Sequence, residues 1–557
     1  MWSFLFAHNS LKEYIYVLHE WYLQTLPIAS LNEHVIKLYT YHNKVLTLIQ
    51  HQKQLNVYLD REGCKISICD AEPAEYEPHW LINAVPYDRL VPEKCFRYMN
   101  TIENTSQCYD VNLFNTTNRI RCDEFVYETD EVTLLNEFGL TCEENEWKLT
   151  FVGTINGIAL LVAIPILGHL SDRYGRRTLF VLGLFGSAIF GLLKSFSSTY
   201  MMYIMYEFLE AGIGAGAYAT SFILAMELLE PNKRVIGGTL IACSYTIGEI
   251  LLGVIGMSVT NFRSLLRVSY TPLLAVISYF WLVPESVRWL AIQGRREEAT
   301  KVILRAAETN SIKLSDYVLD MIKTSNSATD KNNVAITNDE SRGVVCAKQQ
   351  SFFAIFRSKI LVKRLIICSF CWITNALVYY GLSLNSVNLS GSKYINFMLV
   401  CAAEIPGYFI TVMVMEKAGR KWSLCGSMMV CGIACLGSEY LPEDEPIFRL
   451  VLFLIGKSAI TVSFTVLYVY TAELYPTNLR SSLMCACSMI GRVGSIAAPQ
   501  TPLLVRYYAS LPLLLFGSIS IASGVLALRF PETLNTNLPD TIEEAEELGR
   551  HSQDTKV

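Results

Sequence analysis

A charged decapeptide, Gly-His-Leu-Ser-Asp-Arg-Tyr-Gly-Arg-Arg at Gly168 to Arg177, lies between two apolar runs and returns in degenerate form 244 positions later as Glu416-Lys417-Ala418-Gly419-Arg420-Lys421. Two further strings recur at nearly the same interval. Glu227, Pro231 and Arg234 return as Glu473, Pro476 and Arg480, and Pro284-Glu285-Ser286 returns as Pro531-Glu532-Thr533. Unrelated strings that share an offset of 244 to 247 mark a chain built from two parallel halves.

Between these strings lie runs of about 20 apolar residues, the length that crosses a hydrocarbon core about 30 Å thick. The first half has them near 149–169, 178–197, 201–224, 235–258 and 267–283. The second adds 364–384, 394–415, 422–438, 448–470, 481–505 and 511–530. At 52% hydrophobic and 17% charged, a 557-residue chain is too apolar for a soluble protein. The expectation is an all-α, polytopic membrane protein of two lobes with eleven visible spans, an architecture used by transporters.

Orientation follows from the short loops. Arg173, Arg176 and Arg177 occupy one, Lys233 and Arg234 another, Arg420 and Lys421 a third, and alternation puts all of them on the cytoplasmic side. The opposite side receives residues 61–146, with 18 acidic and 7 basic residues, a net of 7 − 18 = −11 against −5 for the whole chain. Six of the 16 cysteines fall there, at Cys64, Cys69, Cys95, Cys108, Cys122 and Cys142, beside glycosylation sequons at Asn104 and Asn115. An even count in a polar, sequon-bearing segment predicts an extracellular disulfide framework, with about 15 possible pairings left open. The remaining cysteines lie mostly in or beside apolar spans, Cys368 and Cys371 included, and read as small buried residues.

The domains implied are an atypical N-terminal segment (1–60), the cysteine-rich loop (61–147), an N-terminal lobe (148–286), a cytoplasmic insert (287–362), a C-terminal lobe (363–533) and a tail (534–557). The insert opens with a helical pattern (Leu290, Val302, Ile303, Ala306, Ala307) and turns Ser/Asn-rich, so helix then linker is expected. In the tail, Thr541 before Glu543–Glu547 is an N-cap arrangement on a soluble cytoplasmic helix.

The first 60 residues hold five of the eight histidines (His8, His19, His34, His42, His51) and no uninterrupted run of 18 apolar residues. The second half has a span before its charged turn's own span; the first half shows no counterpart. Either an atypical span lies within 14–31, or this N-terminus replaces the expected one through alternative splicing or a faulty gene model, and replacement is the preferred reading. The histidines have no paired metal spacing, so no metal is expected.

The turn at Gly168–Arg177 matches the loop motif of the major facilitator superfamily. It needs small residues for close helix packing, an Asp at a helix end and Arg residues at the interface. Such charge pairs latch one face shut, so Asp172, Arg173, Arg176, Glu227, Arg234, Glu416, Arg420, Glu473 and Arg480 are gating candidates. The string Pro284-Glu285-Ser286-Val287-Arg288-Trp289-Leu290 resembles the P-E-S-P-R-W-L signature of solute carrier family 22, the organic cation, anion and carnitine transporters, with Val287 in place of the second proline. Val378–Asn385, Thr471–Arg480 and Arg492–Pro499 fit the same family, and the resemblance runs from about Cys64 to Glu546.

A charge at bilayer mid-depth costs ~2.5–3.5 kcal/mol on insertion scales, so ionisable residues within spans are informative. Arg492 sits mid-span between Gly491 and Gly494. The resemblance implies that this position separates cation carriers, which have an acid there, from anion and carnitine carriers, which have Arg. A carboxylate-bearing substrate is therefore expected. Glu249, with Tyr245 one turn before it, suits an ammonium group, and Tyr379 and Tyr380 offer further ring faces. Arg492, Glu249, Tyr245, Tyr379 and Tyr380 are the substrate-binding candidates, against the plainer readings of structural ion pairing and interhelical hydrogen bonding. Glu404 precedes Ile405-Pro406-Gly407, where Pro406 is expected to kink the helix. Gly456-Lys457-Ser458 lacks the earlier glycine of a phosphate loop, that place being Val451, so nucleotide binding is not expected. Glu207 stands where much of the superfamily has an Arg linked to proton coupling, which argues against proton-driven transport.

The reading is a transporter of small charged organic solutes, cation, carnitine-like zwitterion or anion, in the plasma membrane, working by alternating access without cofactor or covalent chemistry. Its partners are the small organic ion and the lipid bilayer, not nucleic acid. The rivals are a degenerate, non-transporting membrane protein and a sugar-type facilitator.

Overall fold

The computed structural model describes residues 62–548 except 67–68, 70–75, 77, 89–90, 101–112, 229–233, 310–351, 390, 443–444, 477–478, 537 and 540. The expectations for residues 1–60, and for Asn104 and Cys108, lie outside the described residues.

Every predicted apolar run falls on helix. The N-terminal lobe comprises α1 (Glu146–Tyr174), α2 (Arg176–Lys194), α3 (Tyr200–Leu228), α4 (Arg234–Ser258) and α5 (Phe262–Tyr270). Asn261 caps α5, its side chain accepting from the N–H groups of Arg263 and Ser264. Pro272, which lacks an N–H, opens a 3-10 stretch, Pro272–Ser278, before a last turn at Tyr279–Leu282. Two short helices, α6 (Val287–Ile292) and α7 (Arg296–Thr309), follow, as the insert's helical pattern predicted, and its expected linker lies outside the described residues.

The C-terminal lobe comprises α8 (Lys359–Asn385), α9 (Lys393–Ala402), α10 (Glu404–Ala418), α11 (Arg420–Tyr440), α12 (Pro446–Leu474), α13 (Arg480–Ala497) and α14 (Leu511–Ala527). Helices α9 and α10 form one predicted span, interrupted at Ala403. Pro406 cannot donate to the Ala402 carbonyl four residues back, which is where the helix breaks, and at the break the Ser458 hydroxyl donates to the neighbouring Ala403 carbonyl at 2.5 Å. Among the described residues, eight helical segments are long and apolar enough to cross a bilayer, and Leu511–Ala527 is a shorter apolar helix.

The offset of 244 to 247 has a structural cause. In each half the charged turn ends one span and starts the next at a glycine with positive φ, +100° at Gly175 and +84° at Gly419. The N–H groups opening α2 donate to a distant carboxylate: Arg176 and Arg177 to Glu285 at 3.0 and 3.1 Å. In the second half Arg420 and Lys421 donate to Glu532 at 2.8 and 3.2 Å. The Pro-Glu strings thus cap the helices that follow the charged turns, tying the last span of each lobe to its second visible one in the first half and to the matching helix in the second.

The loop before α1 carries three two-stranded antiparallel sheets, so the all-α expectation holds for the membrane part only. They pair β1 (Glu62–Cys64) with β6 (Phe125–Tyr127), β2 (Tyr87–Asp88) with β3 (Val91–Pro92), and β4 (Phe96–Asn100) with β5 (Phe114–Arg121). Disulfides join Cys64 to Cys122 and Cys95 to Cys142, around a small core with Trp80, Leu81 and Phe114. Cys69 is disulfide-bonded too.

The tail helix is docked on the C-terminal lobe. Thr541 caps α15 (Ile542–Glu547) as predicted, its hydroxyl accepting from Glu544 N–H at 3.2 Å. At the other end the buried Arg364 of α8 donates to the carbonyls of Ala545, and of Leu548 at 3.0 Å, while Ala545 joins the core of the C-terminal lobe. A single cation thereby satisfies orphan carbonyls at a helix C-terminus and holds the helix against the bundle.

The lobes meet toward the extracellular side. Gly153 and Gly157 of α1 let Pro499 and Ile496 approach closely. Thr150 donates to Gln500 at 3.0 Å and Gln500 to Thr154 at 2.6 Å. A second seam packs Leu252 and Leu265 on Phe397 and Cys401. The cysteine-rich loop is held twice to the C-terminal lobe: Lys393 pairs with Glu131 at 2.6 Å and Arg506 with Glu143 at 2.5 Å. Toward the cytoplasm, Val162 and Ile166 of α1 are exposed, and nothing among the described residues lies within 4 Å of a Cβ built on Gly168.

Candidate functional site

The mid-membrane zone between the lobes collects ionisable side chains from four spans. Glu404 of α10 is fully buried, and its two oxygens are held separately. Lys457 of α12 pairs with Oε1 at 2.8 Å. The hydroxyls of Tyr379, Tyr408 and Thr246 donate to Oε2 at 2.9, 3.2 and 3.3 Å. Thr246 belongs to α4, so this carboxylate links the lobes. Lys457 also lies 3.4 Å from the centroid of the Tyr379 ring and donates to Ser383 Oγ at 2.7 Å. Its ammonium is thus compensated by a carboxylate, a π face and a hydroxyl, the set that makes a fully buried charge tenable.

Glu249, almost completely buried on α4, faces the same cluster: its charge acts on Glu404, Tyr379 and Cys401. Tyr245, half-buried one turn earlier, acts on Tyr379 as well. Two carboxylates and one ammonium leave one negative charge in excess when all are ionised.

Aromatic rings run from this cluster to Arg492. Tyr380 stands edge-on to Tyr379 at 5.3 Å, Tyr379 packs on Phe464 at 5.5 Å, Phe464 on Tyr468 at 5.6 Å, and Tyr468 on Trp372 at 4.5 Å. Tyr468 in turn feels the charge of Arg492. Arg492 is half-buried and forms no ion pair among the described residues. The glycines beside it explain its position: Gly491 and Gly494 pack directly on the backbone of α8, where any Cβ at Gly494 would come within 2.2 Å of the Ile373 carbonyl.

Comparison with known proteins bears on the family and the fold. The Major Facilitator Superfamily model matches residues 130–499, more than half of the chain. The chain is 31% identical over 478 residues to human solute carrier family 22 member 13, covering 86% of this chain and 83% of that protein. It is 30% identical over 461 residues to a Drosophila melanogaster organic cation transporter protein, covering 82% of each. The chain belongs to solute carrier family 22. Among solved structures, an inward-open xylose transporter XylE from E. coli superposes with a TM-score of 0.54 at 16% identity over 74% of this chain and 93% of that one, which speaks to the fold alone. The chain is therefore a multi-pass membrane transporter of organic solutes rather than an enzyme, with the plasma membrane typical of the family. The degenerate-protein and sugar-facilitator readings are not favoured.

Within this family 22 frame, the substrate candidates Tyr379, Tyr380, Tyr245 and Glu249 come together, and the aromatic ladder connects them to Arg492. Of the gating candidates, Arg176 at the start of α2 pairs with Asp172 at the end of α1 at 2.9 Å, across the turn at Gly175. Arg173 is exposed and lies over the Tyr174 ring. In the second half the pairing differs: Arg420 donates to the Glu473 carboxylate at 3.2 Å, and Thr533 donates to the same carboxylate at 2.5 Å. Glu416, expected as the counterpart of Asp172, is exposed and makes no ion pair among the described residues. Arg480 is half-buried at the start of α13, and the side chains of Glu227 and Arg234 lie outside the described set.

Sequence reasoning left two ionic groups out. Lys457, considered only as a failed phosphate loop, is the partner of Glu404. Lys194 is fully buried in the N-terminal lobe, 2.9 Å from Glu207 and 3.5 Å from Glu210. Ser187 and Asn156 donate to those carboxylates at 3.0 and 3.2 Å. Glu207 is thus engaged in a closed network within one lobe. The signal that would have found both was charge of opposite sign in neighbouring spans.

Proposed function

We propose that the transported solute carries both charges, an amine or quaternary ammonium at one end and a carboxylate at the other. Arg492 carries the reading: it is a mid-span cation without an ion pair among the described residues, at the end of an aromatic wall that leads to a cluster of two carboxylates and one ammonium. The ammonium settles beside the tyrosines and carboxylates, and the carboxylate bonds the guanidinium. Alternating access then requires the extracellular seam to part and the cytoplasmic halves to close, with Asp172, Arg176, Arg420 and Glu473 as latch groups that rearrange. Asn115, whose Oδ1 accepts from the Thr117 N–H at 3.0 Å and hydroxyl at 2.6 Å, is the proposed glycan acceptor on the extracellular loop.

Uptake of a carnitine-type zwitterion and of a simple quaternary cation by the wild type and Arg492→Asp, normalised to surface protein, tests the assignment. Zwitterion uptake should fall about 10- to 100-fold, as expected for a lost charged hydrogen bond, while cation uptake persists or rises. An unchanged preference between the two discards the role of Arg492.

A further inference from the structure

A cavity of about 540 Å³ opens at the cytoplasmic end of the C-terminal lobe, between α8 and α14 and away from the central site. Its floor is apolar, with Ile366, Phe370 and Leu526, and its rim carries Lys359, Lys363 and Arg529. No acidic residue lines it, and the three cations are exposed and form no ion pair among the described residues.

The arrangement is graded along the membrane normal. Positions 359, 363, 366 and 370 share one face of α8, and at 1.5 Å per residue Phe370 lies about 10 Å deeper in the bilayer than Lys363. On the facing helix Leu526 lies one turn deeper than Arg529. Both helices therefore set charge at headgroup depth and hydrocarbon beneath it. The wall looks outward to lipid: Ile366 is 65% exposed and Phe356 55%.

We propose that this groove binds an anionic glycerophospholipid of the cytoplasmic leaflet, its phosphate held by Lys359, Lys363 and Arg529 and an acyl chain laid along Ile366 and Phe370. A small soluble anion would leave the apolar wall uncovered, and a peptide would have to enter the hydrocarbon zone to reach it. The headgroup's negative charge complements three cations that have no internal acid, and unsatisfied cations at that depth are a recurrent basis for recognition of phosphoinositide and related lipids. Since α8 also carries Trp372, Tyr379 and Tyr380, the bound lipid fixes the base of a helix that walls the central site.

The test uses the full-length protein, purified in detergent and examined by native mass spectrometry after titration with phosphatidylinositol bisphosphate, phosphatidylserine or phosphatidylcholine. The wild type should retain the anionic lipids over phosphatidylcholine. Each of Lys359→Gln, Lys363→Gln and Arg529→Gln should lower that preference about fivefold, and the triple variant by on the order of a hundredfold. Lys301→Gln, on the exposed face of α7, should change nothing. Soluble inositol trisphosphate supplies a readout that needs no variant: it should compete poorly, because it lacks the chain. Equal lipid retention by the triple variant overturns the site, and competition by the soluble headgroup as effective as by the lipid reduces it to a plain anion site and overturns the lipid assignment.

Discussion

At the scale of single residues, the buried charges separate cost from function. Lys457 and Glu404 are each fully inside the protein, so removing one leaves the other uncompensated. Lys457→Met should destabilise the folded protein by about 3–5 kcal/mol. Adding Glu404→Gln should recover much of that, read as thermal unfolding of detergent-solubilised protein; no recovery would mean that the pair is not the source. Glu62 offers a pH-dependent case outside the membrane. Its carboxylate accepts the Cys142 N–H at 2.7 Å and lies within 4.8 Å of the sulfurs of Cys95 and Cys142. Burial pushes its pKa above the ordinary 4.5, with the Cys142 bond opposing more weakly. The folded loop therefore holds that proton more tightly than the unfolded chain. The resulting stability is complete below about 4.5 and is lost as pH rises through the higher folded value. Glu62→Gln keeps an acceptor for Cys142 and removes the charge, so it should raise stability at neutral pH, leave it unchanged in acid and flatten the profile between. The residues legible in the sequence were those whose oddity is local, such as Arg492 between two glycines. Lys457 was not, because what neutralises it lies on a different span, and periodicity says nothing about which helices are neighbours.

Among elements, the remote caps make a sharp comparison. Gly175 has φ +100°, and a Cβ there would lie 2.4 Å from Glu285 Oε2, whereas Gly168, in the same motif, has open space. Gly175→Ala should cost about 2 kcal/mol or more, from the strained backbone and the displaced carboxylate, and Gly168→Ala within about 0.5 kcal/mol of nothing. Chemical denaturation of the two variants side by side decides it. The tail helix gives a second case. Arg364→Ala removes charged hydrogen bonds worth about 1.5–3 kcal/mol, so the population with α15 undocked should rise about 10- to 100-fold. Limited proteolysis of the tail reads this directly. Helices, their caps at Thr541 and the break at Pro406 were all legible, since each follows from a local rule. The docking of α15 was not: Glu543–Glu547 looks like any solvated acidic helix until Arg364, 181 residues away from Ala545, supplies its C-terminal partner.

For the whole molecule, the duplicated strings announced two lobes, and the structure supplies what a repeat cannot, namely how the halves meet. The pair between Lys393 and Glu131 is only 18% and 16% exposed and joins the extracellular loop to the C-terminal lobe. Lys393→Glu should shift the balance toward opening on that side by about two- to fivefold, the range of a partly exposed ion pair. The exchange Lys393→Glu with Glu131→Lys should restore it. Labelling of a cysteine placed at Thr150 with a membrane-impermeant maleimide measures the shift, and an unaltered rate in Lys393→Glu would show that the pair holds nothing closed. The loop's sheets went unforeseen because short strands stapled by cystines carry little alternation; the cysteine count conveyed the stapling but not the strands.

The same loop carries Glu131 and Glu143, bonded to opposite ends of the C-terminal lobe's outer rim, while its own last turn runs straight into α1. A domain fastened this way to both lobes would feel any change in their separation, as a strain gauge does. A fluorophore on the loop would report turnover without entering the translocation path, and an antibody that stiffened the loop would slow transport without competing with the solute.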